Sequence, residues 1–475
     1  MSTYKTPGVY IEEISTLPPS VAEVETAIPA FIGFTEKGDK NVARRITSMV
    51  DFQVYFGGGE AEKSLMVTVQ NELIKVAVEP KKKSKNVLFY AMQLYFANGG
   101  GPCYIVPCGT FEESSVASMD SYTAALDAVA KEDEPTLLVF PDAPFILNDR
   151  YYDLVNLALD QCVKLRDRFV IIDVLHKEND FRATKDEFRT KVATNPAAAK
   201  YGAAYYPYLK TTLAYQYDTD SLIINGLPES KSVDQPATVT IEEGGDGKKP
   251  PERKPARTQS AGFSSLPNAT QNRIKQLIAE VGVELTPAAA VAGVYAMVDS
   301  TRGVWKAPAN VGLNYVKGLQ MKITDDEQND LNIDADSGKS VNAIRSFIGR
   351  GTKIWGARTL AGNDNEWRYV NVRRFFNMVE ESVKKSTQWA VFEPNDINTW
   401  TKVRAMIENY LLLKWKDGAL AGAKPDDAFF VRVGLGQTMT SNDVLEGRMN
   451  IEIGMAAVRP AEFIILKFSH KVQNS

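Results

Sequence analysis

Side chains that commonly carry chemistry are scarce in this sequence. Among 475 residues there are two histidines, His176 and His470, and three cysteines, Cys103, Cys108 and Cys162. His176 follows an apolar run near a strand end, where a catalytic base could sit, but a lone solvated imidazole is the simpler expectation. Cys103 and Cys108 have no second Cys/His pair, short of the four ligands a structural zinc needs. The triple glycines at 57–59 and 99–101 are not followed by Gly-Lys-Ser/Thr, so neither is a Walker-type phosphate loop. Gly434-Leu435-Gly436 lacks the third glycine of a dinucleotide fingerprint and reads as a turn or bulge. No Gly-x-Ser-x-Gly elbow and no His-Glu-x-x-His occurs. Lys81, Lys82, Lys83 and Lys85 form a basic run without an interleaved aromatic, which reads as a solvated loop rather than a nucleic-acid contact. The expectation is therefore no catalytic residue, no metal site and no cofactor, in a structural or interaction protein.

Composition agrees with a folded chain of more than one domain. Apolar residues make up 44% and charged residues 24%, which excludes a mostly disordered or collagen-like chain. Lys+Arg at 55 against Asp+Glu at 59 gives a formal charge of −4, so nothing in the balance favours nucleic acid or an anionic membrane as partner. No apolar signal core stands near Met1, and the uncharged stretch around 287–298 is shorter than the ~20 residues that span a bilayer. Three cysteines cannot all pair within one chain, and reduced thiols point to a chain made in the cytoplasm, without direct membrane insertion.

The elements around these residues alternate. Strands are expected at 31–34, 103–106, 136–140 and 169–174, and helices at 89–96 and 151–165. A further helix is expected to be N-capped by Asp120, with Tyr122, Ala125, Leu126 and Val129 on one face. Strands apolar on both sides belong in a sheet covered on both faces. Residues 226–260 hold five prolines and no aromatic residue and read as an exposed outer insertion, with one short strand at 239–241. A helix resumes after Pro267, with Ile274, Leu277, Ile278 and Val281 on one face and Gly282 as its stop. Beyond Arg350 come a strand at 353–358, a helix with Val372, Phe375, Phe376, Val379 and Val383 at helical spacing, and a short strand at 389–392. A helix through Trp400, Val403, Ile407, Tyr410 and Leu411 follows, then strands at 429–433, 450–455 and 463–468. The fold class expected is α/β and α+β. The division is an N-terminal arm and tether at 1–25, an α/β core domain at 26–345 with an outer insertion at about 211–265, and a C-terminal α+β assembly domain at 346–475.

Both ends of the chain are β-prone. Val9, Tyr10, Ile11, Glu12 and Ile14 follow a Pro-Gly turn and are cut off by Pro18-Pro19, and Phe463, Ile464, Ile465, Leu466 and Phe468 close the chain. A lone strand is not stable in water. Each run must pair within its own fold or add to a neighbour's sheet, where backbone hydrogen bonds contribute ~1 kcal/mol each. An arm donated to a different subunit is a heterologous contact that, repeated without closure, builds a helical tube.

Several blocks stand out in order along the chain. They are Tyr4-Lys5-Thr6-Pro7-Gly8-Val9-Tyr10-Ile11-Glu12-Glu13, Ala27-Ile28-Pro29-Ala30-Phe31-Ile32-Gly33, Asp51-Phe52 with Phe56-Gly57-Gly58, and Phe96-Ala97-Asn98-Gly99-Gly100. They continue with Arg302-Gly303-Val304-Trp305-Lys306-Ala307-Pro308-Ala309-Asn310, Trp355-Gly356-Ala357-Arg358-Thr359, Arg368-Tyr369-Val370-Asn371-Val372-Arg373-Arg374 and Val458-Arg459-Pro460-Ala461-Glu462-Phe463-Ile464. In these blocks the sequence resembles the tail sheath proteins of contractile phage tails and phage-tail-like contractile injection systems. Residues 211–265 carry no such pattern. Thr286-Pro287-Ala288-Ala289 stands where the family has a Pro-Pro-Ser-Gly-like turn, and Gly434 where it has a cysteine.

The resemblance implies a structural, non-enzymatic subunit that polymerises as stacked six-fold rings in a helix around an inner tube protein and contracts to drive that tube through a target envelope. It implies partners in further copies of itself, the inner tube, baseplate and terminator proteins, with room for sheath paralogues. The N-terminal and C-terminal runs become the exchanged strands, and Phe429, Val431, Val433, Ile451 and Ile453 mark the receiving strands. Residues 15–25 become a tether that absorbs movement between subunits. Two alternatives stay open at this point. One is an α/β enzyme with its site at the strand ends near Pro141-Asp142 or Asp173, and the other is a different self-assembling shell protein.

Overall fold

The computed structural model describes residues 20–70, 73–177, 180–225 and 263–465. The chain divides into two compact units, one built from residues 27–297 and 308–368, the other from residues up to 26, 298–307 and 369 onward.

The larger unit is organised by a nine-stranded sheet. Its order is Val311–Gly312, Gly351–Ile354, Val341–Phe347, Gly202–Tyr206, Phe169–Asp173, Leu137–Val139, Pro29–Thr35, Cys103–Thr110 and Arg44–Ile46. The strands from Val341–Phe347 to Cys103–Thr110 run parallel, and the edges pair antiparallel. Every residue of Pro29–Thr35, Phe169–Asp173 and Gly202–Tyr206 is buried, because both faces are covered and alternation with polar residues would bury unpaired groups. Ala30, Ile32 and Phe34 share one face with Tyr122, Ala125 and Leu126 of the helix Met119–Val129 and with Leu154, Val155 and Ala158 of the helix Tyr151–Leu165. On the other face Phe31 meets the Tyr95 ring edge-on at 5.0 Å, and the hydroxyls of Tyr205 and Tyr295 lie 2.6 Å apart. Cys103, Cys108 and Cys162 are buried free thiols, and burial pushes all three up, away from the reactive thiolate.

Several expectations are corrected. The helix Met119–Val129 takes Ser118 as its N-cap, since Ser118 keeps extended backbone; Asp120 sits inside the first turn. The strand expected at 353–358 is Gly351–Ile354, which folds back on Val341–Phe347 through the Phe347 carbonyl and the Arg350 N–H at 3.1 Å. The domain boundary expected at 345/346 therefore cuts a paired strand, and the larger unit continues to residue 368. Residues 211–225 are not an appendage: Leu209–Thr211 pairs with two strands, Ile223–Asn225 pairs with Leu65–Gln70, and Tyr215 and Ile224 are buried. The insertion 226–260 with its strand at 239–241 lies outside the described residues. The helix Asn268–Val281 does end at Gly282, whose φ is +66°. A Cβ there would come within 2.1 Å of the Thr211 carbonyl oxygen.

Two buried carboxylates hold this unit together where an open parallel sheet usually binds ligands, beyond the C-terminal ends of its strands. Asp142 takes the Phe34 N–H at 2.8 Å and the Val87 N–H at 2.6 Å, the latter at the start of the helix Leu88–Ala97. Its carboxylate fills the space above Gly33, where a Cβ would lie 2.5 Å from an Asp142 oxygen. Asp173 accepts the Ala288 N–H at 2.8 Å, at the start of the helix Ala288–Arg302. The carboxylates once weighed as an enzyme's site thus serve as helix anchors.

Burial pushes both carboxyls up to about 7, against the opposing pull of the backbone N–H groups. An unfolded Asp loses its proton near pH 3.9. Between these values the folded state holds protons the unfolded state has released. Each group's stabilising share is thus present at the acid end and is lost as pH rises through about 7, on the order of 1 kcal/mol per pH unit. Asp142→Asn removes that titration and leaves one of two N–H groups without its acceptor, costing about 1–3 kcal/mol where the acid is protonated. Urea unfolding across pH 4.5 to 8 should show the gap between wild type and Asp142→Asn narrowing as pH rises; a widening gap would contradict this assignment.

Candidate functional site

The smaller unit is built on two helices, Val370–Ser386 and Ile397–Lys416. Phe375, Met378, Val379 and Val383 recur at helical spacing on the first and pack with Val403, Met406, Ile407, Tyr410 and Leu411 of the second. Asp396 fixes the start of the second helix by accepting the Asn398 and Thr399 N–H groups at 2.9 and 3.0 Å. The strand expected at 389–392 is instead a tight turn, Gln388–Ala390, closed by the Ala390 N–H on the Thr387 carbonyl at 2.9 Å. A short apolar run with no neighbouring strand has nothing to pair with, and the helix tightens into a loop. Phe392 follows at φ +68° and is fully exposed, an unusual backbone for an aromatic residue.

On this helical base lies a two-stranded antiparallel ladder, Phe429–Arg432 with Glu452–Met455, in the register Phe429↔Met455 and Val431↔Ile453. Phe429, Val431, Ile451 and Ile453 face the helical core; Val433 is buried just past the end of the first strand, and Ile451 stands just before the second. The structure thus brings all five expected receiving residues together. Gly434 opens a turn in which its carbonyl accepts the Gln437 N–H at 3.2 Å. On the outer face the Arg432 guanidinium lies 4.4 Å over the Phe430 ring, which in turn covers Gly454. Among the described residues no third strand joins either edge of this ladder.

The chain ends meet this unit in different ways. Val9, Tyr10, Ile11, Glu12 and Ile14 lie outside the described residues, as do Leu466 and Phe468. Phe463, Ile464 and Ile465 form no strand among the described residues and are 67%, 80% and 79% exposed. Just before them, Tyr369 donates its hydroxyl to Glu462 at 3.1 Å. At the other end, the described part of the expected tether is docked. The Val24 and Ala22 N–H groups donate to Ser382 Oγ at 3.0 Å and Ser386 Oγ at 3.1 Å, alternate residues of an extended chain meeting serines one turn apart. Glu23 pairs with Lys414 at 2.6 Å. Thr26 donates to Asp299 at 2.6 Å, and its carbonyl accepts from Arg374 at 2.9 Å.

Arg374 itself grips Asp299 bidentately at 3.0 and 2.5 Å, with both side chains buried. Sequence reasoning missed Ser382, Ser386, Asp299, Arg374 and Phe392. The available signals were two serines four apart on a helix and an arginine at a position the helical period turns inward.

The smaller unit thus carries a two-stranded antiparallel ladder on a helical base, with Phe463, Ile464 and Ile465 exposed among the described residues. A family model described as the phage tail sheath C-terminal domain matches residues 362–471. The tail sheath protein of Vibrio phage KVP40 is 27% identical over 121 residues, covering 26% of this chain and 18% of that protein's length. The sheath complex of the extracellular contractile injection system PVC, solved in the contracted state, aligns over 100% of both chains at 30% identity and a TM-score of 0.66. A chain of the six-fold symmetrised baseplate of the anti-feeding prophage aligns over 99% of this chain and 100% of its own at 31% identity and a TM-score of 0.62. The chain belongs to the family of contractile tail sheath proteins.

Removing one partner of a buried ion pair leaves the other charge stranded. Arg374→Ala should therefore cost the unassembled subunit about 3–5 kcal/mol in urea unfolding; a loss under about 1 kcal/mol would show that the clamp holds nothing. Phe392→Gly relieves the left-handed backbone and should leave stability unchanged or raise it by up to about 1 kcal/mol, measured the same way. A clear loss would mean that the exposed ring packs within the subunit.

Proposed function

We propose that this protein polymerises as stacked six-fold rings in a helical tube around an inner tube and contracts to drive that tube through a target cell envelope. The single observation that carries the reading is the full-length likeness to a sheath subunit solved in the contracted state. The likeness to a baseplate chain supports a baseplate partner as well. Inner tube and terminator proteins complete the expected set, and the chain is made in the cytoplasm before it enters the particle. Among the described residues no helix is long and apolar enough to cross a membrane.

Assembly runs through exchanged strands. Residues 9–14 of one subunit and 463–468 of another add to the open edges of the ladder Phe429–Arg432 with Glu452–Met455. Net backbone hydrogen bonds contribute ~1 kcal/mol each, so two short strands supply several per subunit. The unbroken apolar run Phe463-Ile464-Ile465-Leu466 gives the C-terminal strand apolar side chains to set against the receiving sheet. Contraction is then rigid-body rearrangement of subunits whose strands stay paired, driven by new contacts between subunits.

Deleting residues 1–14 tests this directly. The truncated chain should keep its helical circular dichroism yet give no tubes in negative-stain images. Regular tubes from that chain would overturn strand exchange by the N-terminal arm.

A further inference from the structure

Two features of the sequence are not used in the strand exchange proposed above, the lysine run at 81–85 and His176. In the fold they line one cavity of the larger unit, of about 370 Å³, within the size range of small-molecule sites. It lies beyond the C-terminal ends of Phe169–Asp173 and Gly202–Tyr206, which lead into His176 and Tyr208. That is the side on which open parallel sheets generally receive ligands.

Lys81, Lys83, Lys85 and Lys177 line the cavity, with Asp149 as the one carboxylate in its wall. Two of the four cations are matched by acids from outside the lining: Lys83 by Glu284 at 3.7 Å and Lys177 by Glu187 at 2.5 Å. Lys81 and Lys85 make no ion pair among the described residues. The apolar wall comes from Phe145 and Tyr208, whose rings meet edge-on at 5.7 Å. His176 is held in place by the Tyr206 hydroxyl, 2.8 Å from its Nδ1. A concave site with one sign of charge and low-dielectric walls concentrates counter-ions.

We propose that this cavity binds a small, multiply charged phosphorylated anion, with Lys81 and Lys85 as its ion partners and the Phe145–Tyr208 wall against its uncharged part. Phosphate is the anion proposed because several ammonium point charges around one small cavity suit a group that concentrates multiple negative charges, and lysine meets phosphate as a point charge.

Calorimetric titration of the purified full-length protein with sodium triphosphate tests the proposal, with citrate as the carboxylate control. Saturable binding should appear with triphosphate and weaken about tenfold or more in the Lys81→Gln/Lys85→Gln double variant. Lys82→Gln should leave it unchanged, since Lys82 is outside the lining and pairs with Glu79 at 2.9 Å. Both substituted lysines are exposed, so loss of fold does not confuse the result. Absence of saturable binding would overturn the site, and an equal loss in Lys82→Gln would reduce it to diffuse surface charge. Citrate binding as tightly as triphosphate would overturn the phosphate assignment.

Discussion

An unpaired strand edge presents backbone N–H and C=O groups that need partners, and a two-stranded ladder by itself is marginal in water. In the smaller unit such a ladder persists because one face rests on a helical pair. Val431 and Ile453, opposite each other across the ladder, both turn into that core. The helices thus supply the stability that a third strand would ordinarily provide, and among the described residues the pairing is extended past the ladder by a single bridge, Leu420 to Ala457. The rest of the unit follows from this. The outer face is guarded by Phe430 under the Arg432 guanidinium, and the apolar residues 463–465 stand exposed among the described residues.

Buried carboxyl groups do related work in both units. A desolvated ion is costly unless its partners are well placed, so it tolerates few alternative geometries. Arg374 and Asp299 use that intolerance to fix residue 26 of the chain against the helix Val370–Ser386. Asp142 and Asp173 fix helix starts at the ends of parallel strands by hydrogen bonding rather than by charge, since burial favours their neutral form. The same strand ends that would present carboxylates to a substrate in an α/β enzyme here turn them onto backbone N–H groups. What remains open to solvent on that side is the lysine-lined cavity.

The sequence was most legible where a single element carries its own signal. The helix at 151–165 and the strand around 31–34 were readable because a 3.6-residue period and an unbroken apolar run each point to one structure. The run at 389–392 misled because four apolar residues carry no period. The boundary at 345/346 misled because the strand expected at 353–358 carried no sign of its partner, and Val341–Phe347, with which Gly351–Ile354 pairs, was not read as a strand at all. The strands at 429–433 and 450–455 were legible, and their expected receiving role came from the family resemblance. The clamp could not be read, because Thr26, Asp299 and Arg374 meet only through tertiary folding, and neither could the meeting of Lys81 with His176.

Docking of residues 22–26 changes how movement between subunits must be shared. A tether free from residue 15 to 25 would let the N-terminal arm swing broadly. With Ala22 bonded to Ser386, the chain from Ile14 to that anchor has eight steps, a reach of at most about 29 Å when fully extended. The C-terminal arm has less slack still, because Phe463 follows directly on the Glu462 that Tyr369 holds. In strand exchange the receiving ladder must therefore stay close to the root of each arm. If strands are exchanged as proposed, rearrangement would be confined to rotations and slides that preserve those distances.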